Sequence, residues 1–297
     1  MGANLKEVRE RIKSVISTQQ ITKAMKMVSA AKLRRAQDAI VKMRPYANKL
    51  NDMLAHILAN SSGDSSSSFG ISRDVQKVLI VVVTSNRGLA GAFNTNIIKA
   101  AQGLMDTKYA AQAQAEKVDI LPIGKKGYDF FRKHMKSNRI LSDYVNLFAD
   151  LSFSNVSKVP DLLMSYFESG KYDAIEVCYG RFKNAAVQYS EAEQFLPVPQ
   201  EASSDNERQT RADYIFEPNE QELLGELIPS ILQTQFYRYL LDTHASEHGA
   251  RMTAMDKATE NADEILRDLR ISYNKARQEA ITSEISEIVG GAAALGG

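Results

Sequence analysis

ARMTAMDKATENADEILRDLRISYNKARQEAITSEISEIV, residues 250–289, is a stretch of sequence that contains neither proline nor glycine. Its apolar and small residues recur at alternating steps of three and four, which is the spacing of a coiled-coil seam. The seam positions are Met252, Met255, Thr259, Ala262, Leu266, Leu269, Tyr273, Ala276, Ala280 and Ser283. Charged residues flank this narrow stripe on both sides, so the predicted helix needs a partner stripe elsewhere in the chain.

The first sixty residues contain that partner stripe. Apolar residues at the same spacing occupy 5–15 and 33–57, and between these ranges the stripe is assigned to Ile21, Met25 and Val28. This assignment requires two shifts of phase, which are typical of coiled-coil stutters. Two long seams at opposite ends of one chain predict an antiparallel coiled coil made by the terminal helices. Such arms are far longer than a compact domain of this size.

Composition and charge restrict the possible partners. The chain has 297 residues, 44% of them hydrophobic, with a net charge of +1, but its first sixty residues carry twelve Lys and Arg against four Asp and Glu. A basic helix can meet nucleic acid, an anionic membrane or an acidic protein surface, although a solvated face explains most of these charges. Aromatic residues for base stacking are not interleaved among them, so we expect no nucleic-acid binding. No apolar run is long enough to span a membrane.

The middle of the chain has a different period. Residues 77–84 form a run rich in β-branched residues, which is typical of a strand buried on both faces. Further strands are predicted at 118–123, 172–182 and 186–196, and helices at 94–114, 125–134 and 156–169. Alternating strands and helices predict a Rossmann-like α/β domain with a largely parallel sheet and an antiparallel edge. The lone Cys178 lies in a predicted strand, where we expect a buried small hydrophobic residue and no disulfide.

These patterns divide the chain into five segments. They are an N-terminal coiled-coil helix at 1–60, a flexible linker at 61–76, a central α/β domain at 77–199, a polar connection at 200–216 and a C-terminal coiled-coil helix at 217–297. The linker is Ser-rich, which favours neither a helix nor a core. Pro45 and Pro229 are expected to kink or interrupt the two arms.

Residues 85–94, SNRGLAGAFN, join the first predicted strand to a helix, where α/β proteins often bind phosphates. The stretch has neither the Gly-Lys-Ser/Thr of a P-loop nor three correctly spaced glycines. We therefore favour a tight turn that needs its glycines over a nucleotide site.

His244-Ala245-Ser246-Glu247-His248 matches the H-x-x-E-H pattern, in which two histidines on one helical face share a zinc ion. Five residues are a weak signal, and the candidates for a third ligand lie on the same long helix, where they cannot fold back. We therefore favour a structural role in or beside the seam over a zinc peptidase.

Three stretches carry a specific family resemblance. ITKAMKMV at 21–28, SEHGARM at 246–252 and NKARQEAITSEISEIVGGA at 274–292 resemble the gamma subunit of F-type ATP synthases. The loop at 85–91 also resembles that family's Ser-Asp-Arg-Gly-Leu-Cys-Gly turn, with Asn86 and Ala90 as departures. The resemblance covers nearly the whole chain, in order.

The resemblance implies a bacterial central-stalk rotor without a catalytic site, cofactor or metal of its own. It implies an α- and β-subunit ring around the shaft, with the epsilon subunit and the membrane ring of c subunits at its foot. It places the protein peripherally at the cytoplasmic face of the plasma membrane, where it couples proton-driven rotation to ATP synthesis or hydrolysis. The residues implied to contact the catalytic subunits are Arg277, Gln278, Thr282, Met25 and Lys26. For Met25, packing within the seam is an equally good interpretation.

Two alternatives belong to other classes. A free-standing coiled-coil adaptor with an α/β ligand-binding domain would explain the seams but not the order of the motifs. A zinc peptidase would explain only residues 244–248.

Overall fold

The computed structural model describes residues 5–60, 68–70, 73–136, 139–198 and 220–295. The predicted linker at 61–76 lies partly outside these ranges, and the polar connection at 200–216 lies entirely outside them. By its internal contacts the chain divides into two compact units, one formed by Met1–Ser29 with Met252–Gly297 and the other by Ala30–Arg251. We refer to them as the helical unit and the α/β unit. No described helix is both long enough and apolar enough to cross a membrane.

Two long helices come from the two ends of the chain, and shorter elements lie between them. The elements are α1 (Leu5–Asn60), β1 (Val78–Val83), α2 (Phe93–Asp106), α3 (Ala110–Gln114), β2 (Val118–Ile123), α4 (Lys125–His134), α5 (Phe153–Val156), α6 (Lys158–Glu168), β3 (Ala174–Phe182), β4 (Gln188–Leu196) and α7 (Glu220–Leu295). Neither Pro45 nor Pro229 interrupts its helix.

The four strands of the α/β unit form one sheet in the order β2-β1-β3-β4. Strand β1 pairs in parallel with β2 and with β3, whereas β3 and β4 pair antiparallel. The prediction of a largely parallel sheet with an antiparallel edge is therefore confirmed. At the β3–β4 turn the side-chain carbonyl of Asn184 accepts the backbone N–H groups of Ala186 and Val187, which closes the turn.

Both faces of β1 are buried, as its continuous apolar sequence predicts. Leu79, Val81 and Val83 pack on one side, in the cluster that contains α6 and part of α7. The alternate residues of β1 pack on the other side, in the cluster that contains α2 and α4. Cys178 of β3 lies in that second cluster and is fully buried, as expected.

The predicted helix at 94–114 is in fact two helices, α2 and α3. The chain turns between Asp106 and Ala110, so that Tyr109 is buried and its hydroxyl donates a hydrogen bond of 2.7 Å to Glu176. The Nζ of Lys108 lies 2.5 Å from the same carboxylate. A buried carboxylate needs such partners, and satisfying Glu176 outweighs the helical propensity of this Ala-rich stretch.

In the helical unit, α1 and α7 pair in antiparallel fashion. The hydroxyl of Tyr273 accepts a hydrogen bond from Arg9, and Lys26 binds Asp256 at 2.5 Å. As residue numbers rise along α1, those of the partners on α7 fall in step. The antiparallel pairing predicted from the two seams is therefore confirmed.

The predicted shifts of phase in α1 are wrong. Ile21 and Val28 are 59% and 57% exposed, whereas Thr22 is only 8% exposed and Ser29 is also buried. The inward positions of α1 in the helical unit are Leu5, Val8, Ile12, Val15, Gln19, Thr22, Lys26 and Ser29, a spacing of three and four without interruption.

Polar residues hold these inward positions because they find polar partners on the opposite helix. The Thr22 and Thr259 hydroxyls lie 2.8 Å apart, and the amide of Gln19 donates a hydrogen bond to Asp263. An apolar pattern search skips such positions and selects the neighbouring Ile21 and Val28. Ala280 and Ser283 of α7, also assigned to the seam, are exposed.

This phase of α1 has a direct test in two neighbouring residues. We expect Thr22→Asp to lower the free energy of unfolding by about 2 kcal/mol or more, because it buries a new charge. Ile21→Asp adds the same side chain on the exposed side and should change stability by no more than about 0.5 kcal/mol. Thermal or urea unfolding of both variants measures this. A larger loss for Ile21→Asp than for Thr22→Asp would restore the shifted phase.

Within the α/β unit, α1 buries a stripe at the predicted spacing. Its buried members are Leu33, Ala36, Ile40, Ala47 and Leu50. The side chains of Leu54 and Ile57, which the same pattern includes, lie outside the described residues. Helix α7 buries Phe236, Tyr239 and Leu240 in the cluster on the sheet.

Candidate functional site

The loop after β1 occupies the position at which α/β proteins often bind phosphates, and its own side chains hold it in place. The Asn94 side-chain oxygen accepts the backbone N–H of Ser85 at 2.9 Å, and the Ser85 hydroxyl donates to the carbonyl of Arg87 at 2.6 Å. Leu89 and Gly91 both have positive φ, of 62° and 56°. Gly91 adopts this conformation freely, whereas Leu89 is strained and leaves its side chain 65% exposed.

A nucleotide in an α/β sheet binds at the topological switch point, which here lies between β1 and β3. Helix α7 fills this crevice. The Ser246 hydroxyl donates to the Gly180 carbonyl at 3.0 Å, and the Gly180 N–H donates to the Thr243 hydroxyl at 3.2 Å. A Cβ at Gly180 would come within 2.7 Å of the Phe93 ring. The packing of α7 therefore occupies the space that a nucleotide would need.

The nearby N-terminus of α4 has its first donors engaged as well. The N–H of Lys125 binds the Asn86 side chain, that of Lys126 binds the Ser85 carbonyl, and that of Gly127 binds the Thr84 hydroxyl. A helix N-terminus binds phosphate through such N–H groups when they are free. Because these three N–H groups already bind the loop, they are not free to bind a phosphate.

Arg251 of α7 fastens the β1–α2 loop to the helix. Its guanidinium donates to the carbonyl of Arg87 at 3.1 Å and to that of Gly88 at 3.3 Å, and it forms an ion pair with Glu247 at 2.7 Å. Both ionic side chains are about nine-tenths buried. Burial raises the pKa of the Glu247 carboxyl, and Arg251 opposes that shift. Sequence reasoning did not single out this pair, although the i, i+4 spacing of Glu and Arg is a usable signal.

The two histidines of the H-x-x-E-H stretch are brought together, with their Nε2 atoms 3.1 Å apart. Arg251 holds both the carboxylate of Glu247 and, through its Nη1 at 3.3 Å, the Nδ1 of His248. A zinc site needs a third ligand, and among the described residues no three His, Cys, Asp or Glu side chains are placed to share a metal ion. The local geometry is that of a structural hydrogen-bond cluster.

The residues implied to contact catalytic subunits lie in the helical unit. Arg277, Gln278 and Thr282 are exposed on α7, whereas Met25 and Lys26 are half-buried on α1. The structure does not bring the two groups together, because Lys26 pairs with Asp256, which precedes Arg277 by about 30 Å along the helix at 1.5 Å per residue. The Thr282 hydroxyl donates to the Gln278 carbonyl at 2.9 Å. Their role in partner contacts stays a prediction.

An apolar row on α7 accompanies these residues and was not identified from the sequence. It consists of Ile281, Ile285, Ile288 and Val289, all exposed. Their spacing of four, three and one places them on one helical face, a signal that the seam pattern obscured. Every residue from 277 to 292 is exposed, so this end of α7 is unpartnered among the described residues.

The two terminal helices pair with each other, and the crevice of the α/β unit is filled by its own helix. These features are typical of a helical subunit of a protein assembly. The family model described as ATP synthase matches residues 4–295. The gamma chain of ATP synthase from Cytophaga hutchinsonii is 55% identical over 98% of this chain and 99% of its own length, and that of Flavobacterium psychrophilum is 52% identical over 99% and 100%. The chain belongs to the ATP synthase gamma-chain family, with close relatives in bacteria.

Solved structures share the fold at low identity. A chain of the Euglena gracilis mitochondrial ATP synthase, in a structure described as OSCP/F1/c-ring, superposes with a TM-score of 0.64 at 21% identity, covering 98% of this chain and 94% of its own. A chain of the Tetrahymena thermophila enzyme, described as central stalk/c-ring, gives 0.56 at 20% identity, covering 80% and 99%. Family membership confirms the prediction of a non-catalytic subunit of ATP synthase.

Proposed function

We propose that the chain is the rotor shaft in the central stalk of ATP synthase. It couples rotation of a membrane ring of c subunits, driven by proton flow, to the conformational cycle of the catalytic β subunits. The observation that carries this proposal is the exposed end of α7, at 277–292, with its apolar row and the polar Arg277, Gln278 and Thr282. Such a surface needs a partner, since exposed contiguous apolar residues mark interaction sites.

The partner at this end is proposed to be the ring of α and β subunits. A single helix presents different side chains on each of its faces, so it cannot contact several equivalent catalytic subunits in the same way. The subunit that a given face contacts is therefore stabilised in a particular conformation, and turning the shaft passes that conformation to the next subunit. The guanidinium of Arg277 can bind a carboxylate through two hydrogen bonds, and the amide of Gln278 can bridge backbone groups.

The contacts between α1 and α7 suit a shaft that transmits torque. An apolar seam alone permits sliding between registers, whereas a polar residue at a seam position specifies one register. The pairs Thr22–Thr259, Gln19–Asp263 and Lys26–Asp256 provide three such constraints in succession. Met25 and Lys26, close to these constraints, are the proposed contacts to the catalytic subunits on α1.

The remaining partners follow the same proposal. The α/β unit meets the epsilon subunit and the c-ring at the foot of the shaft, and the protein lies at the cytoplasmic face of the bacterial plasma membrane without inserting into it. In this proposal the chain keeps the five predicted segments. The arms at 1–60 and 217–297 form the shaft, and the central domain at 77–199 lies between them in sequence. No cofactor, metal ion or nucleic acid is needed.

Co-purification tests the assignment. A tagged copy of the chain, expressed in its native host and recovered in mild detergent, is expected to retain the α and β subunits, each in molar excess over the chain. Recovery of the chain alone, or only as a homodimer, would contradict the rotor proposal and favour a free-standing coiled-coil adaptor. ATP hydrolysis by the purified chain alone would contradict it as well.

The proposed contacts of Arg277 and Gln278 predict a loss of coupled activity. In the assembled complex we expect Arg277→Ala with Gln278→Ala to lower the rate of ATP hydrolysis about tenfold, a change of about 1.4 kcal/mol in the barrier. Both residues are exposed in the isolated chain, so its stability should not change. Lys99→Ala, at an exposed position on α2, is the control. Equal activities of the double variant and the control would show that these contacts are dispensable.

A further inference from the structure

The His244–His248 pair and Arg251 form a continuous hydrogen-bonded chain that ends on the β1–α2 loop. Arg251 Nη1 lies 3.3 Å from His248 Nδ1, His248 Nε2 lies 3.1 Å from His244 Nε2, and the other guanidinium nitrogens reach the carbonyls of Arg87 and Gly88. His248 is only 5% exposed. The protonation state of the two imidazoles is thus linked to the hydrogen bonds that Arg251 makes with the loop.

The donors along this chain determine the histidine tautomers. A guanidinium has no acceptor, so His248 Nδ1 must accept and its proton lies on Nε2. His248 Nε2 then donates to His244 Nε2, and the proton of His244 lies on Nδ1. Both rings are neutral in this arrangement. In this arrangement each ring nitrogen between Arg251 and His244 takes part in one hydrogen bond, so none of them can take an additional proton without breaking a bond.

The charges that face the two rings are mostly positive. Lys32 approaches them from α1, and Arg251 from the next turn of α7. Arg87 in the loop and the carboxylate of Glu247 also belong to the cluster, where Glu247 pairs with Arg251. The ring of Phe148 stacks on His244 with the centroids 6.2 Å apart and contributes no charge.

We propose that His244, His248 and Arg251 act as a proton-sensitive latch that holds the β1–α2 loop on α7 when both imidazoles are neutral and releases it when one gains a proton. A proton on His244 Nε2 turns that atom from an acceptor into a donor. His248 Nε2 must then accept, and its own proton moves to Nδ1. There it faces the N–H of Arg251, and the two donors repel.

The direction of the pH effect follows from burial. Desolvation, together with Lys32 and Arg251, lowers the pKa of His244 to about 4. Desolvation, His244 and the same two cations lower the pKa of His248 to about 3. Because both values lie below the ordinary value of 6.5, the stability from the neutral pair is complete above about pH 6.5 and is lost as the pH falls towards these values. The latch is therefore closed at neutral pH and opens in acid.

Hydrogen exchange of the purified full chain tests the latch. Between about pH 7 and about pH 4.5 we expect protection of the amides in the β1–α2 loop, corrected for intrinsic exchange, to fall by about tenfold or more, because the pKa of each histidine lies more than one unit below its ordinary value and one unit corresponds to a factor of about ten. The variant His244→Gln with His248→Gln keeps amide donors and acceptors but cannot titrate, so its loop protection should not depend on pH. His134→Gln, which removes an exposed histidine, should behave like the unchanged chain.

Two results would overturn the proposal. One is the same acid-dependent loss in the double variant, which would assign the effect to protonation of Glu247 or to general loosening in acid. The other is constant loop protection in the unchanged chain.

If the double variant does not fold, the nitrogen chemical shifts of the imidazoles in the unchanged chain test the latch at neutral pH. The latch requires a proton on His248 Nε2 and none on His244 Nε2, and the opposite tautomers exclude it. The latch does not depend on the rotor proposal.

Discussion

Arg251→Met is expected to lower the free energy of unfolding by about 3–5 kcal/mol, the range for removing one partner of a buried ion pair. The change leaves the carboxylate of Glu247 buried without its cation and the carbonyls of Arg87 and Gly88 without their donor. The apolar stem of methionine keeps most of the packing, so lost polar contacts cause the effect. Urea unfolding of the purified chain measures the change.

The control for this prediction is Arg181→Met. Arg181 forms an ion pair with Glu191 at 2.5 Å, but the arginine side chain is 46% exposed. Water and salt screen an exposed pair, so its contribution to stability is small and this variant should unfold close to the unchanged chain. Similar losses for the two variants would mean that burial of Arg251 does not determine its contribution.

Gly124→Ala is expected to prevent the α/β unit from folding into its present structure. Gly124 follows β2 and has a φ of 96°, a conformation that residues with a Cβ rarely adopt. An added Cβ would overlap the carbonyl oxygen of Thr84 and lie 2.7 Å from its carbonyl carbon. Both atoms belong to the backbone at the end of β1, so they cannot rotate away. We expect little soluble protein, and circular dichroism of any that remains should lack a cooperative thermal transition.

Gly103→Ala provides the matched control. Gly103 lies inside α2, and an added Cβ there would have no atom within 4 Å apart from its neighbours in the helix. Alanine is favoured over glycine in a helix, so the variant should gain about 0.5–1 kcal/mol of stability. A folded Gly124→Ala protein with the stability of Gly103→Ala would show that the β1 and β2 ends can separate without cost.

Local pattern was enough to predict most of the α/β unit. The apolar run within 77–84 is typical of a strand buried on both faces, and helices between successive strands favour parallel pairing. The predicted helix at 94–114 failed because its break depends on Glu176, far away in the sequence, which the buried Tyr109 and Lys108 must satisfy. A helix prediction from the high propensity of alanine cannot take account of that distant carboxylate.

The predicted phase of the seam in α1 was wrong for a related reason. Thr22 lies in the seam because Thr259 provides a hydroxyl opposite it, and Ile21 is exposed as a consequence. Periodicity ranks isoleucine above threonine at an interface, and only the pairing of the two helices reverses that order. The predicted contacts at Arg277, Gln278, Thr282, Met25 and Lys26 rest on the family resemblance, and the structure of the chain alone adds their exposure.

Hydrophobic period and local motifs were enough to predict the α/β class, the antiparallel terminal helices and the gamma-chain family, because these signals are properties of neighbouring residues. Three features became known only from the folded chain: the face of α1 that meets α7, the filling of the crevice between β1 and β3 by α7, and the contacts of Arg251 with Glu247, His248 and the β1–α2 loop. These features depend on partners distant in sequence. Burial makes each partner necessary, because a polar group removed from water must find its hydrogen bond within the fold.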